Sequence, residues 1–423
     1  MSRVAVIGAG YVGLTTAAYL AHLGHEVVCA DVLPERIEGL NRGRVPIFEA
    51  GLEEMVREGL DGHRLSFVVG AGRAVDGAEF VFLCVPTPQA ADGSADMRYI
   101  EEAAGEISPH LRSEAVVINK STVPVGSTRV VERALGRDDV FVVSNPEFLR
   151  EGSAVYDCLH PDRLVVGSDD HTAAIRVASL FERLEAPLIV TDPASAETIK
   201  YASNAFLATK VSFVNALANL CEGVGADVRE VVLGMGYDRR IGFEFLKPGP
   251  GWGGSCFPKD THALVYMAEQ AGYDFSLLDG VIAVNEQQYG RVADKIERMA
   301  GGSLEGRTVA AWGLSFKART DDTRDSPALE VIRRLRERGA VVRAYDPQAS
   351  GEFHDVEQCS DAYAACEGAS VLAVLTEWDD FRWLDLDKVR SVMAEPRIID
   401  ARNLLDPAVA RRKGFAYEGM GRP

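Results

Sequence analysis

The stretch GPGWGGSCFPKD, residues 249–260, sets one cysteine, Cys256, between a glycine-rich run and a Pro-Lys-Asp step. Glycine packs nothing and costs backbone entropy, so the glycines at 249, 251, 253 and 254 imply a ligand brought close to the sulfur. Pro258 suits the first turn of a helix, and either that helix start or Lys259 would lower the thiol pKa. A thiolate beside a hydride acceptor suggests one chemistry above others. The sulfur adds to an aldehyde, the thiohemiacetal loses hydride, and the resulting thioester is hydrolysed to an acid. The remaining cysteines, at 29, 84, 158, 221, 359 and 366, read as small buried hydrophobes.

The hydride acceptor has its own signature in VAVIGAGYVG. Gly8, Gly10 and Gly13, with Tyr11 and Val12 among them, follow a strand and open a helix. They permit a tight turn, approach of a pyrophosphate, and close packing of helix on strand. The pyrophosphate then meets backbone N–H groups at a helix N-terminus. About 20 residues further on, the second strand ends at Asp31, whose carboxylate would hold ribose hydroxyls and repel a 2′-phosphate. NAD is therefore expected over NADP, although Arg36 nearby leaves NADP open.

These groups need a scaffold, and the first two hundred residues alternate apolar strands with helical patterns. Strands are expected at Val4–Ile7, Glu26–Ala30, Glu79–Val85, Ala115–Asn119, Val140–Ser144 and Arg163–Gly167. They are short, continuous and rich in Val, Ile and Phe, as parallel strands buried on both faces should be. From Ala194 to Cys221 there is no Gly or Pro, and Ile199, Phe206, Phe213 and Leu217 recur at helical spacing. That predicts one long helix bridging two domains, with a dimer contact on its surface. From about residue 303 the strand–Gly turn–helix–Gly–strand–Asp order of the N-terminus returns. The glycine fingerprint is gone there, and Lys317, Arg319 and Arg324 stand in its place, which points to a different anionic ligand. The fold class is α/β: two Rossmann-like, doubly wound parallel-sheet domains joined by a long central helix.

Composition sets the bounds. The chain has 423 residues, is 47% hydrophobic and 26% charged, and carries a net charge of −18. That acidity argues against nonspecific nucleic-acid or membrane-surface binding. Seven cysteines without a C-x-x-C pair or a Cys/His cluster predict a reduced protein with no disulfide framework and no metal site. An apolar strand begins within three residues of Met1, so no signal peptide is expected. No apolar run reaches a membrane span of about 20 residues, and a cytoplasmic location follows as the expectation.

Taken together, GAGYVGL (8–14), VPTP (85–88), KSTVPVGST (120–128), NPEFLREGSA (145–154), GGSCFPKD (253–260), GLSFKARTDDTRDSP (313–327) and DARN (400–403) resemble the nucleotide-sugar dehydrogenases, specifically the UDP-glucose/GDP-mannose dehydrogenase family. The match runs through essentially the whole chain. The resemblance implies oxidation of the C6 alcohol of UDP-glucose to UDP-glucuronate in two steps, with two NAD reduced and a homodimer formed through the central helix. GDP-mannose or a UDP-N-acetylhexosamine is the alternative substrate. It implies a division into an NAD-binding domain (1–193), a central dimerisation domain with the cysteine loop (194–300) and a UDP-sugar-binding domain (301–423).

The resemblance also implies roles. Cys256 is the nucleophile. Lys200 and Asn204, one helical turn apart, stabilise oxyanions. Asp260 handles the hydrolytic water with Thr122 and Glu147. Thr87, Thr122, Glu151, Lys259 and Arg324 join the glycine loop, Asp31 and Arg36 around the cofactor. Glu147, Phe148, Leu149, Lys200, Asn204, Phe245, Lys247, Gly253, Phe316, Lys317 and Arg402 line the sugar-nucleotide site, with Arg240 reaching across the dimer. Trp252, where relatives often carry Tyr or Phe, keeps an aromatic beside the sugar. A two-electron hydroxy-acid dehydrogenase or a non-catalytic NAD-binding sensor would share the N-terminal fingerprint but would need no thiol.

Overall fold

The computed structural model describes residues 1–90, 94–354 and 356–422. They form two compact units, Met1–Ser203 with His262–Tyr273, and Asn204–Thr261 with Asp274–Pro423.

The first unit is built on eight strands: β1 (Arg3–Ile7), β2 (Glu26–Asp31), β3 (Leu65–Val69), β4 (Phe80–Leu83), β5 (Val116–Asn119), β6 (Phe141–Ser144), β7 (Leu164–Gly167) and β8 (Leu188–Thr191). Their order in the sheet is β3-β2-β1-β4-β5-β6-β7-β8. The expected strands are present, but β3 and β8 were not anticipated. The sheet is also not wholly parallel, because β7 meets β6 antiparallel while pairing in parallel with β8. Both faces of the sheet are covered. Along β1, Val4 and Val6 enter one core and Ala5 and Ile7 the other, the two-residue alternation that a pleated strand imposes.

The second unit carries β9 (Thr308–Trp312), β10 (Val341–Tyr345), β11 (Glu357–Gln358), β12 (Val371–Val374), β13 (Arg397–Asp400) and β14 (Ala416–Gly419). Their order is β11-β10-β9-β12-β13-β14, and every pair is parallel. Two separate apolar clusters again cover its two faces. Each unit is thus a doubly wound sheet whose strands end toward loops that can hold a ligand.

The long helix runs Pro193–Val224, 32 residues, three beyond the Cys221 limit read from the sequence. After Pro193 at its start there is no Gly or Pro until Gly223, so nothing in its interior interrupts the hydrogen-bond ladder. One face is buried through Tyr201, Ala205, Ala208, Ser212, Val214, Ala218 and Cys221, whereas Phe206, Phe213, Leu220 and Val224 are exposed. A second helix, Phe257–Gln270, follows the thiol. Among the described residues, no helix is long and apolar enough to cross a membrane.

Candidate active site

The glycine loop lies between β1 and the helix Tyr11–His22. Gly8 has φ +100°, and a Cβ on Gly13 would stand 1.9 Å from the Gly8 carbonyl oxygen. Both positions therefore require glycine. Around Gly10 a Cβ would meet nothing within 4 Å, so the loop leaves open space there. Gly10 caps the helix with no side-chain hydrogen bond, leaving first-turn N–H donors for a ligand. This cradle fits a dinucleotide pyrophosphate.

Asp31 closes β2 with its Oδ2 accepting from Ala9 N (2.9 Å) and from the Arg36 guanidinium (3.0 Å), while Oδ1 accepts from Leu33 N (3.0 Å). The second unit has a counterpart, Asp346 after β10. Its Oδ2 accepts from Leu314 N, Ser315 N, Ser315 Oγ and Trp378 Nε1, and its Oδ1 from Gln348 N and Ala349 N. Six protein donors on one carboxylate make Asp346 part of the turn itself.

Around the carboxyl ends of β4 to β6 the first unit collects buried polar groups. Thr87 Oγ donates to the Thr122 carbonyl at 2.8 Å. Lys200 on the long helix donates to Glu147 Oε1 at 2.7 Å with both side chains buried, and Leu149 N donates to Glu147 Oε2 at 2.6 Å. Burial would raise the Glu147 carboxyl, but Lys200, the Leu149 N–H and Lys120 together hold it below its ordinary value. The Phe148 ring lies 3.6 Å under the Arg163 guanidinium and 5.7 Å from Lys200 Nζ. Tyr11 donates to Glu49, whose Oε2 also accepts from Gly152 N (2.7 Å) and whose Oε1 accepts from Ala154 N (2.9 Å). That buried carboxylate ties the glycine-loop helix to the turn bearing Glu151, and burial with Glu49 raises the Tyr11 phenol far above its usual range.

In the second unit, Cys256 is partly exposed and immediately precedes the helix Phe257–Gln270. Its carbonyl accepts the first helical hydrogen bond, from Asp260 N at 2.9 Å, and Ser255 Oγ is 3.5 Å from its sulfur. Asp260 is fully buried. Its Oδ2 accepts from Asn204 Nδ2 and its Oδ1 from Lys259 Nζ, each at 2.6 Å. Lys259 thus pairs with the carboxylate that follows it in the helix.

The glycines before the thiol are also closely packed. A Cβ on Gly251 would meet the Tyr289 ring at 2.5 Å, on Gly253 the Asp325 carbonyl oxygen at 1.9 Å, and on Gly254 the Phe316 ring at 2.8 Å. The unit's own atoms occupy the space that a side chain at any of these positions would need. Trp252, too, is buried, donating from Nε1 to Ser212 Oγ on the long helix at 2.8 Å, with Asn285 and Tyr289 bonded to its backbone.

Of the other expected residues, Arg402 donates to the Leu375 and Phe316 carbonyls at 2.8 and 2.9 Å and pairs with Glu377. Lys317 lies 5.5 Å from the Phe316 ring centre. Phe245 stands 6.3 Å from the Phe257 ring. Phe245, Arg319, Asp325 and Asn403 all have φ between 46° and 67°, left-handed backbone that is strained for a residue other than glycine. Arg324 and Arg240 are exposed and form two-residue ion pairs with Asp322 and Asp238, and Lys247 is exposed. Among the described residues, no three His, Cys, Asp or Glu side chains gather to hold a metal ion.

Comparison with known proteins matches this geometry to one group. Residues 2–185, 194–287 and 310–407 match, in turn, the NAD binding, central and UDP binding domains of the UDP-glucose/GDP-mannose dehydrogenase family. The chain is 44% identical over its full length to UDP-glucose 6-dehydrogenase TuaD of Bacillus subtilis (strain 168), covering 94% of that protein. It is also 44% identical to the UDP-glucose 6-dehydrogenase of Pseudomonas aeruginosa, covering 98% of it. Among solved structures, a UDP-glucose dehydrogenase from Pyrobaculum islandicum superposes with TM-score 0.93 at 38% identity, covering 100% of this chain and 98% of the other. A UDP-D-ManNAc dehydrogenase from Pyrococcus horikoshii gives 0.89 at 28%, covering 99% of each chain. With its three domains in order and full-length relatives at this identity, the chain belongs to the UDP-glucose/GDP-mannose dehydrogenase family.

Proposed function

We propose that this chain oxidises UDP-glucose at C6 to UDP-glucuronate, with Cys256 as nucleophile and NAD as cofactor. When bound, NAD accepts the hydride removed in each of the two oxidations. Its holders are the loop of Gly8, Gly10, Tyr11, Val12 and Gly13 with Asp31, Arg36, Thr87, Thr122, Glu151, Lys259 and Arg324. The sugar nucleotide is held by Phe148, Leu149, Phe245, Lys247, Gly253, Phe316, Lys317, Arg402 and, from a second copy, Arg240.

In the chemistry, Cys256 Sγ bonds to the aldehyde carbon, and the carbonyl oxygen takes up the negative charge. Lys200 and Asn204 supply positioned donors to that oxygen. Once oxidised, the adduct is a thioester. Water attacks its carbonyl with Asp260, Thr122 and Glu147 placing the water and taking its proton, and the carbon–sulfur bond breaks to release thiolate and acid. The observation that carries the reading is the setting of Cys256, at the start of a helix whose buried Asp260, one turn in, is held by Asn204 and Lys259. Full-length identity to proteins named UDP-glucose 6-dehydrogenase supports the choice of sugar.

The divisions at 193 and 300 belong to this proposal, with the middle segment joining two copies through the exposed Phe206, Phe213, Leu220 and Val224. All seven cysteines are free, which supports a reducing compartment, the cytoplasm. The test is turnover with NAD on UDP-glucose, GDP-mannose and a UDP-N-acetylhexosamine in parallel. UDP-glucose should give the highest kcat/KM and two NADH per sugar. One NADH per sugar, or preference for another nucleotide sugar, would overturn the assignment.

A further inference from the structure

Lys120 is a buried cation that the mechanism above does not use. It follows the last residue of β5 and is 6% exposed. Its Nζ donates to Asn145 Oδ1 at 3.0 Å and approaches the Asn145 carbonyl oxygen at 3.4 Å. Asn145 in turn donates from Nδ2 to the Val165 carbonyl at 2.7 Å, so its amide is fixed between β5 and β7. Burial pulls the Lys120 ammonium below its ordinary pKa, because an ammonium buried against a neutral amide is costly unless charge elsewhere offsets it. The negative groups near it are the Glu147 carboxylate and, were they ionised, the thiols of Cys84 and Cys158; Lys200 is the nearby cation. Burial pushes both thiols up, each to about 12, so they remain neutral near neutral pH. Glu147 is left as the anion facing Lys120.

The placement is specific. Lys120 is two residues before Thr122, and Asn145 is two residues before Glu147. The Lys120–Asn145 bond therefore staples together the two strand ends that carry the residues assigned to the hydrolytic water. We infer that Lys120 is a positioning residue: its ammonium fixes the Thr122 and Glu147 segments relative to each other and, by its charge, favours the carboxylate form of Glu147. The charged and titratable groups facing Glu147 are then Lys200 on the long helix, Lys120 after β5, Arg163 before β7, Cys84 after β4 and Cys158 on the helix Ala154–Leu159. With two ammonium groups nearby, Glu147 serves as a proton acceptor and not as an acid. The inference rests on the role given to Glu147 above.

The sign of the effect follows from electrostatics. Removing a nearby positive charge disfavours the carboxylate, so the Glu147 pKa rises and the acid limb of the kcat profile moves to higher pH. Lys120→Gln keeps a donor for Asn145 and removes the charge, whereas Lys120→Met removes both. We expect both variants to shift the acid limb upward. Lys120→Met should also lose roughly tenfold or more in kcat, with KM for NAD and for UDP-glucose nearly unchanged, as expected when only transition-state positioning is lost. A folded Lys120→Gln protein with an unmoved acid limb would refute the inference. So would a Lys120→Gln protein that fails to fold by circular dichroism, because the ammonium would then serve the fold alone. Glu147→Gln in the native background separates the two ideas: if it leaves the acid limb in place, the assignment of Glu147 itself fails, whatever the Lys120 variants do.

Discussion

A thiol becomes a catalytic group through what surrounds it, and the surroundings of Cys256 are those of a helix start. Its carbonyl opens the ladder of Phe257–Gln270, and the carboxylate one turn in is buried and doubly bonded. Cys256→Ser should keep this local geometry, since Ser is also accommodated at a helix start. It should keep NAD binding, because the glycine loop is untouched. It should lose acid formation by several orders of magnitude, since a serine alkoxide is far harder to form near neutral pH than a thiolate. NADH per sugar at completion and the mass of any covalent adduct provide the check, and full acid production by the serine variant would rule the thioester out. The thiol, the glycine loop and Asp31 were legible because each sits in a short motif whose spacing has a local reason. Glu49, Lys120, Asn145, Ser212, Asn285 and Tyr289 were not. Each acts through a partner far along the chain, as Glu49 does on Gly152 and Ala154 or Asn285 on Trp252, and no local spacing records such a pairing. The crowding at Gly251, Gly253 and Gly254 is hidden in the same way, since the atoms around them come from residues up to 72 positions away.

The same contrast holds for elements. Strands such as β1 and β5 were legible from continuous Val and Ile runs, while β3 and β8 were overlooked. Leu65–Val69 has a serine in its second position, and Leu188–Thr191 is a four-residue edge strand with Leu188, Ile189 and Val190 substantially exposed. The helix Ser127–Leu135 raises a related problem, because its N-terminus begins at Gly126 with no side-chain cap from its own sequence. Glu197, on the long helix, supplies one. Its Oε2 accepts from Gly126 N at 2.6 Å, and its Oε1 accepts from Thr128 N and Thr128 Oγ at 2.9 and 2.8 Å. The long helix is thereby pinned to the segment that carries Thr122. Glu197→Gln would turn one acceptor into an NH2 group facing a backbone N–H or the Thr128 hydroxyl, leaving a buried donor unsatisfied. The cost should be about 1–3 kcal/mol, read as a lower urea midpoint with an unchanged slope. An unaltered midpoint would mean that water or another group caps this helix instead.

At the scale of the molecule, the question is what covers the apolar face of the long helix. Spacing singled out Ile199, Phe206, Phe213 and Leu217. The structure leaves Phe206 and Phe213 exposed together with Leu220 and Val224, and packs Leu217 against the small cluster around Val214. Residues 206, 213 and 220 recur every seven positions and 224 follows four later, so they occupy one face of the helix. Burying such a side chain contributes roughly 1.5–3 kcal/mol, and a second copy would bury the same residues again on its own helix, as a two-fold interface requires. Association must also overcome charge, since each chain carries −18. Repulsion between the copies weakens as salt screens it, whereas apolar contact does not. The native protein should therefore have the mass of two chains in sedimentation equilibrium and associate more tightly at higher ionic strength. Phe213→Asp combined with Leu220→Asp should give a single-chain mass, because four carboxylates would enter the apolar seam of the pair unpaired. The helix itself should persist, since both positions are exposed. A native monomer at micromolar concentration, or a dimer that survives both substitutions, would place the interface on another surface.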